Sequence, residues 1–157
     1  MSLDDTARES NVRDSLKKYF VDNLNKSSGV DLLFDKGLST PNIANKAPSK
    51  RWVSVNFGQM FREKMATQFL ELYCCTRDDP EGFKLCQLSD LVLGLLTDPT
   101  MNDNFKRIPL YKSSPTVAWV QIGSFIVTDF TESQQFEYAD LTKYKIITVT
   151  LRWAAKI

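Results

Sequence analysis

In residues 68–99 the spacing of hydrophobic residues changes at a short acidic turn. This change restricts the possible folds of the chain more than any other feature of the sequence. Before the turn, alternate positions are apolar, as in a half-buried β-strand: Leu70, Leu72 and Cys74. After "DDPEG", apolar residues recur at helical spacing: Leu85, Leu88, Val92 and Leu95. A strand followed at once by an amphipathic helix requires a sheet layer and a helix layer that share a core.

The acidic turn has the composition of a helix start. Asp79 is placed to cap the helix, Pro80 suits its first turn, and the helix dipole favours the negative charge of Glu81. The helix is expected to end at Asp98-Pro99, because proline disfavours helical backbone at the residue before it. The turn is therefore predicted to be the joint between a strand and a helix.

Similar patterns organise the rest of the chain. "NVRDSLKKYFVDNL" predicts an N-terminal amphipathic helix with Ser10 as N-cap, and strands are predicted in "VDLLFD", "RWVSVNFG", "TVAWVQIGSFIV" and "KYKIITVTLRW". We predict an α+β fold in which two main helices pack on one face of a mainly antiparallel β-sheet. Residues 1–157 are expected to form a single domain, with long loops near residues 36–50 and 99–115.

Composition excludes several classes of function. The chain contains no histidine, which excludes Ser-His triads and Cys-His dyads and removes the commonest metal ligand. Twenty Lys and Arg against 19 Asp and Glu leave a net charge of +1, which argues against a surface built throughout for nucleic acid or anionic membrane. The first residues lack a secretory signal pattern, and no apolar run reaches the roughly 20 residues of a spanning helix. We expect synthesis in a reducing cytoplasm and no membrane contact.

The three cysteines are expected to be reduced and to bind no metal. Cys74 and Cys75 are adjacent in a predicted strand, so their side chains point to opposite faces. Cys86 belongs to no second CxxC pair, and no histidine is available as a fourth ligand. An odd number of cysteines without a secretory signal favours buried thiols over a disulfide framework.

The carboxylates near the turn raise one catalytic alternative. Asp78, Asp79 and Asp90 would hold the divalent ion of a metal-dependent nuclease. Asp78 and Asp79 are adjacent, but Asp90 is about three helical turns further on, and no Gly-rich phosphate loop accompanies them. Carboxylates near the start of a helix usually cap it, so we favour capping. A metal-dependent nuclease remains the alternative function from a different class of protein.

Charge is patterned along the chain although it cancels overall. A basic segment contains no acid between its members: Lys36, Lys46, Lys50 and Arg51. An acidic segment contains no base between its members: Asp129, Glu132, Glu137 and Asp140. The simpler interpretation is two solvated segments, whereas the alternative is a subunit interface in which the two segments meet head to tail in a ring.

The order of these elements resembles a known family. An N-terminal amphipathic helix, a long early loop, the strand "VSVNF", the run "FLELYCCTRDDPEGFKLCQLSDLVLGLL" and the closing strand "YKIITVTLRW" resemble the tail terminator proteins of long-tailed bacteriophages. The resemblance extends from about Val12 to Trp153 and lies in the order and patterning of the elements.

The resemblance implies a structural virion protein without catalytic residues or cofactors. Such a subunit closes into a hexameric ring that caps the finished tail tube and joins the tail to the head. Its partners would be other copies of itself, the tail tube protein and head-neck connector proteins, while DNA passes through the ring without sequence-specific binding. The protein would reside in the virion tail after synthesis in the host cytoplasm, and the loops near 36–50 and 99–115 would contact the ring and the tube. A head-completion or neck protein of the same virions is the related alternative.

Overall fold

The described residues combine helices with one β-sheet. The computed structural model describes residues 2–37, 50–112, 119–138 and 141–157. The N-terminal helical region begins with a 3-10 turn at Asp5–Ala7, followed by helix α1 at Glu9–Phe20. α1 continues into a π-helical turn at Val21–Asn25 and then into the short helix α2 at Lys26–Ser28. Helix α3 spans Phe83–Leu96. The strands are β1 Asp31–Phe34, β2 Arg51–Phe61, β3 Met65–Thr76, β4 Arg107–Lys112, β5 Val120–Glu132, β6 Phe136–Glu137 and β7 Lys143–Ala154. The predicted α+β class is confirmed.

The sheet is mixed, with β3 and β7 at its centre. The strand order is β1-β2-β3-β7-β5-β4, and β6 pairs with β7 beside β5. β1 pairs with β2 in parallel, and the other pairs among the described strands are antiparallel. Leu72 of β3 lies opposite Val55 of β2 on one side and Ile147 of β7 on the other, so the predicted alternation places apolar residues in one row.

One apolar cluster joins the sheet to the helices. Its sheet members include buried residues at alternate positions of the central strands: Val53, Val55, Leu70, Leu72, Ile147, Val149 and Leu151. Its helix members are Val12, Leu16 and Phe20 of α1, and Leu85, Leu88, Val92 and Leu96 of α3. The predicted stripe of α3 was wrong at its end, where Leu96 is fully buried and Leu95 only partly buried. Because burying one such side chain contributes about 1.5–3 kcal/mol, this cluster is the main source of stability.

Helix α1 covers the outer edge of β4. The Tyr111 amide of β4 donates a hydrogen bond to the Ser15 hydroxyl (2.8 Å), and that hydroxyl donates to the Tyr111 carbonyl (3.2 Å). Pro109 of the same strand carries no amide hydrogen to offer a neighbour. Together these features satisfy or remove backbone groups that an open edge would present to another strand.

The N-terminal turn is tied to the last strand. Trp153 of β7 is buried, packs edge-on against Phe125 with ring centroids 5.1 Å apart, and donates its indole N–H to the Thr6 carbonyl (2.8 Å). The Lys156 amide donates to the Thr6 hydroxyl at 2.9 Å. A buried tryptophan needs such a partner for its N–H, so these bonds fix where α1 enters the core.

Two predicted helix starts were wrong in their details. α1 begins at Glu9, so Ser10 lies inside the helix rather than at its N-cap; the residue before the helix is Arg8, which makes no side-chain cap. α3 begins at Phe83 rather than at Pro80, because Gly82 adopts a left-handed backbone (φ 77°) that a helix cannot contain. Pro80 and Glu81 therefore lie in the turn that precedes α3.

The predicted loops were only partly correct. Strand β4 occupies residues 107–112 of the supposed loop at 99–115, where its proline and flanking charges obscured the strand pattern. β5 also continues to Glu132, so the first part of the acidic segment belongs to a strand. Most of the loop predicted at residues 36–50 lies outside the described residues. Within the described residues, no helix is both long and apolar enough to cross a bilayer.

Replacing Val92 tests the core face of α3. Val92 is fully buried, so Val92→Asp must bury an unpaired carboxylate or displace the helix, and we expect a loss of about 4 kcal/mol in unfolding free energy. Urea unfolding measures the change. As a control, Gln87→Asp introduces the same residue at an exposed position of the same helix and should change stability by about 0.5 kcal/mol or less. Equal midpoints for both variants would show that the buried face is assigned incorrectly.

Candidate functional site

The acidic turn is organised around Asp79, which is almost fully buried. Its carboxylate accepts hydrogen bonds from the Leu85 amide (2.9 Å), the Lys84 amide (3.2 Å) and the Thr76 hydroxyl (3.0 Å). Burial alone raises the pKa of Asp79, but the bonds from Leu85, Lys84 and Thr76 outweigh burial, so the pKa lies below its ordinary value. The predicted capping role is confirmed, although Asp79 reaches the helix from a turn that lies before its first residue.

The other two carboxylates of the nuclease alternative have different surroundings. Asp78 is exposed with a left-handed backbone (φ 53°), and its carboxylate lies 3.8 Å from the Lys50 ammonium. Asp90 is exposed on α3. Within the described residues, no group of three or more His, Cys, Asp or Glu side chains is arranged to hold a metal ion. The geometry therefore assigns Asp79 to capping the helix, and it gives no support to a catalytic site made of Asp78, Asp79 and Asp90.

The cysteines occupy separate places. In β3, Cys74 lies opposite Val53 and Lys145, whereas Cys75 lies opposite Trp52 and Tyr144, so the two adjacent thiols face opposite sides of the sheet as predicted. Both are buried, while Cys86 is exposed on α3, and all three are free thiols. Burial raises the pKa of the Cys74 thiol far above its ordinary value, which keeps it neutral and unreactive.

The basic segment lies at the β1–β2 side of the sheet. Lys36 is exposed just after β1, and Lys50 is exposed just before β2. Arg51 begins β2 and donates from its guanidinium to the Ser28 carbonyl at 2.7 Å. Lys46 lies outside the described residues. Lys50 and Arg51 thus lie close to the turn that carries Asp78, whereas Lys36 follows Phe34, which pairs with Val55 further along β2.

The acidic segment lies on the other side of the two central strands, and β7 supplies its counter-charges. Glu132 pairs with Lys145 (3.2 Å), and Glu137 pairs with Lys143 (3.5 Å). Asp129 is exposed on β5, and Asp140 lies outside the described residues. Both lysines follow the last acid of the segment in sequence, so the search for bases between the acids did not reveal these pairs.

The register relates the two segments to each other. Arg51 lies opposite Thr76, Thr76 opposite Lys143, and Lys143 opposite Glu137. Three strand spacings separate Arg51 from Glu137, which corresponds to about 14 Å. Arg51 and Glu137 therefore share one end of the sheet but lie toward opposite edges of it, whereas Lys36 and Asp129 lie further along the strands.

Large apolar side chains are exposed at several places that the sequence patterns did not single out. Phe61 and Met65 flank the β2–β3 turn, and Trp119 and Val120 lie at the start of β5. Near the start of α3, two more are exposed, Phe83 at 66% and Leu141 at 72%. Leu141 also has a left-handed backbone (φ 67°), which is uncommon for a bulky residue without a structural reason. Contiguous apolar patches mark contact surfaces, whereas single exposed apolar residues are common on any protein surface. We therefore treat each of these pairs as a candidate contact surface.

A cleft of about 380 Å³ lies between the end of α1, the last turn of α3 and β4. We call it the Gly94 cleft; its lining residues are Lys18, Tyr19, Asp22, Asn23, Gly94, Leu95, Lys106, Arg107, Pro109 and Tyr111. The π-helical turn contributes Asp22 and Asn23, and such turns occur often at functional sites. The volume falls within the range of small ligand pockets.

Hydrogen bonds and ion pairs fix the polar lining of the Gly94 cleft. The Tyr19 hydroxyl donates to the Leu95 carbonyl at 2.5 Å, and burial raises the pKa of Tyr19 to about 12. Lys18 pairs with Asp22 at 2.7 Å, and this bond, with that of Lys26, lowers the pKa of Asp22. Arg107 forms an ion pair at 2.9 Å with Asp103, which lies outside the cleft. The lining is thus positioned in advance rather than loose.

The sequence offered one signal for this cleft that pattern reading passed over. In "LVLGLL" a glycine interrupts a run of apolar residues in the predicted helix. A glycine inside a helix lowers the stability of the helix by about 1 kcal/mol relative to alanine. The remaining lining residues come from three distant segments, and no local pattern brings them together.

Comparisons with known proteins identify the fold but no family. No family model matches the sequence, and no curated protein sequence matches it. A solved structure superposes on this chain with a TM-score of 0.61 at 9% sequence identity, covering 96% of this chain and 98% of that chain. The name of that protein describes no function. The similarity shows a shared fold and leaves the function to be argued from the surface.

Removing the Asp79 carboxylate tests the cap. Because the native pKa is lowered, Asp79 stabilises the fold above its unfolded pKa of about 3.9, and the stabilisation is lost as pH falls through the lower native value. Asp79→Ala is expected to cost about 1–2 kcal/mol at neutral pH, and less in acid. Urea unfolding between pH 7 and pH 2 measures both effects. Glu81→Ala removes an exposed carboxylate from the same turn and is the matched control, and an equal loss in the two variants would contradict the assignment.

Proposed function

We propose that this protein is a structural virion protein, a tail terminator of a long-tailed bacteriophage that forms a hexameric ring, caps the tail tube and provides the joint to the head. The observation that carries the proposal is the separation of exposed apolar side chains into several surfaces, at Phe61, at Trp119 and at Leu141. A subunit that contacts a neighbour on each side, a tube below and a neck above needs several contact surfaces of this kind.

The arrangement of the layers is compatible with such a subunit. We infer that α1 and α3 cover the same face of the sheet, because both contribute to one apolar cluster and the Tyr19 hydroxyl of α1 bonds the Leu95 carbonyl of α3. The order of elements that resembles tail terminators runs from α1 through β2, β3 and α3 to the closing β7. These features support the proposal through fold and order alone.

The ring contact is proposed to use the two charged segments. They lie toward opposite edges of the sheet, so a basic edge of one subunit can face an acidic edge of the next, and repeating such a contact closes a ring. Ion pairs with Asp78, Lys143 and Lys145 already engage three members within the subunit. The Lys50–Asp78 pair is largely exposed and contributes at most about 1 kcal/mol, so a neighbouring subunit can replace it, whereas Lys143 and Lys145 are mostly buried and their pairs are held more firmly.

Electron microscopy of the protein mixed with isolated tail tubes tests the main proposal. Rings at one end of each tube, and rings that remain there after free protein is removed, are the expected result. Protein mixed with capsids that lack tails serves as the comparison, because a head-completion or neck protein would decorate the capsid portal instead. Decoration of neither structure would contradict both virion assignments.

Charge reversal tests the ring contact. Lys36→Glu with Lys50→Glu should weaken assembly most at low salt, where screening is least, and should leave the monomer's melting temperature nearly unchanged. Adding Asp129→Lys and Glu137→Lys to the same chain should restore part of the assembly. Lys64→Glu with Lys156→Glu makes the same change in net charge outside both segments and serves as the control. Light scattering across a salt series measures assembly, and no rescue in the four-residue variant would reject this pairing.

The alternative of a different class predicts turnover. A metal-dependent nuclease that uses Asp78, Asp79 and Asp90 should degrade DNA in the presence of Mg²⁺ or Mn²⁺, and Asp90→Asn should abolish that activity. We expect no cleavage by the wild-type protein. Metal-dependent cleavage that is lost in Asp90→Asn would overturn the structural assignment.

A further inference from the structure

Strand β1 ends the sheet on one side and has a free edge. Among the described strands its only neighbour is β2. The Asp35 amide donates to the Val55 carbonyl of β2 at 2.9 Å, so the odd-numbered positions of β1 turn their backbone groups toward β2. The N–H and C=O groups of Leu32 and Phe34 therefore point outward, where an unpaired edge accepts another strand.

Strand β5 has a second free edge, on the other side of the sheet. β4 borders β5 only as far as Ile126, and no other described strand borders β5 beyond that point on the side away from β7. The Ser133 amide donates to the Ile146 carbonyl of β7 at 2.9 Å, so the odd-numbered positions at this end of β5 face β7. The backbone groups of Phe130 and Glu132 therefore point outward.

The two free edges lie at the same height along the strand direction. The strand registers connect them through one row of residues across the sheet: Phe34, Val55, Leu72, Ile147 and Glu132. Both ends of this row are residues whose backbone groups face outward. β1 and β5 also run in opposite directions, because β1 is parallel to β2 and three antiparallel pairings separate β2 from β5.

We propose that the free edge of β1 pairs with the free edge of β5 in a second copy of this chain. The two strands form an antiparallel ladder in which Phe34 and Glu132 of the next copy exchange two N–H···O bonds. The inference rests on the proposed ring and specifies how its subunits join. Because the bonds use backbone atoms, the Glu132–Lys145 ion pair inside each subunit is kept.

A second copy fits this edge better than an unrelated extended peptide. Rotation about an axis parallel to the strands preserves both height and strand direction, so it places the β5 edge of one copy beside the β1 edge of the next in a matching register. The charges agree with this register. Lys36 lies two positions after Phe34 and Asp129 three before Glu132, so these two exposed side chains of opposite charge approach each other.

Disulfide trapping between two variants tests the ladder. Phe34→Cys and Glu132→Cys are each made with Cys86→Ser, which removes the exposed native thiol, and are then mixed and oxidised with copper-phenanthroline. Opposite residues of such a pair have Cα atoms about 5.5 Å apart, which a disulfide spans. We expect dimers that contain one copy of each variant. As a control, Phe34→Cys mixed with Val120→Cys, at the other end of β5, should give at least about tenfold fewer dimers.

Two proline variants test the backbone contact itself. Leu32→Pro removes an outward N–H and keeps the bonds to β2, whereas Leu33→Pro removes an N–H that faces β2. Leu33→Pro should therefore melt at a lower temperature than Leu32→Pro. Leu32→Pro should raise the concentration needed for assembly at least about tenfold, measured by light scattering.

Three results would overturn the pairing. Dimers of Phe34→Cys with itself in place of mixed dimers would show that β1 pairs with β1 across a two-fold axis. Wild-type assembly by Leu32→Pro would show that the edge is not used. Absence of mixed dimers would reject the ladder whether or not rings form, and rings that microscopy still shows on tail tubes would leave the proposed function intact. Mixed dimers together with tubes that carry no rings would support the ladder and reject the tail terminator.

Discussion

The pairing of β3 with β7 is the constraint on which the rest of the structure depends. The two strands match from Met65 opposite Ala154 to Thr76 opposite Lys143. A slip of one residue would turn the buried set of each strand to the opposite face, so the apolar alternation of both fixes the register. β2 extends the sheet beyond β3, and β5 extends it beyond β7. Helix α3 follows β3 directly and is held to its end by the Asp79 carboxylate.

Several charged groups near the strand ends have partners within the subunit. Asp79 binds helix amides, and Lys143 and Lys145 neutralise acids of the adjacent strands. Exposed apolar residues are also used in part, because Phe61 packs edge-on against Phe69 and Trp119 packs edge-on against Tyr111. Phe61 and Trp119 keep part of their surface exposed, and the contacts of the proposed ring would form there.

Local sequence patterns correctly predicted the helices and strands that bury one continuous face. The stripes of α1 and α3 and the alternation of β3 and β7 were visible because each element buries one continuous face. β4 was missed because it is a short edge strand whose Pro109 is tolerated only there. The lysine partners of Glu132 and Glu137, and the lining of the cleft, depend on segments brought together by the sheet order. These ion pairs and this lining depend on the strand order of the sheet, which cannot be predicted from any single stretch of sequence.

The bonds between Thr6 and the last strand also bear on how the chain reaches its native state. The Trp153 indole and the Thr6 carbonyl are separated by 147 positions in sequence. Closing so long a loop has a large entropic cost, and contacts of this range slow folding. Until β7 docks, the N-terminal turn that precedes α1 has no partner at this end of the sheet. The two ends of the chain therefore become ordered together, and the position at which α1 enters the core depends on β7 being in place.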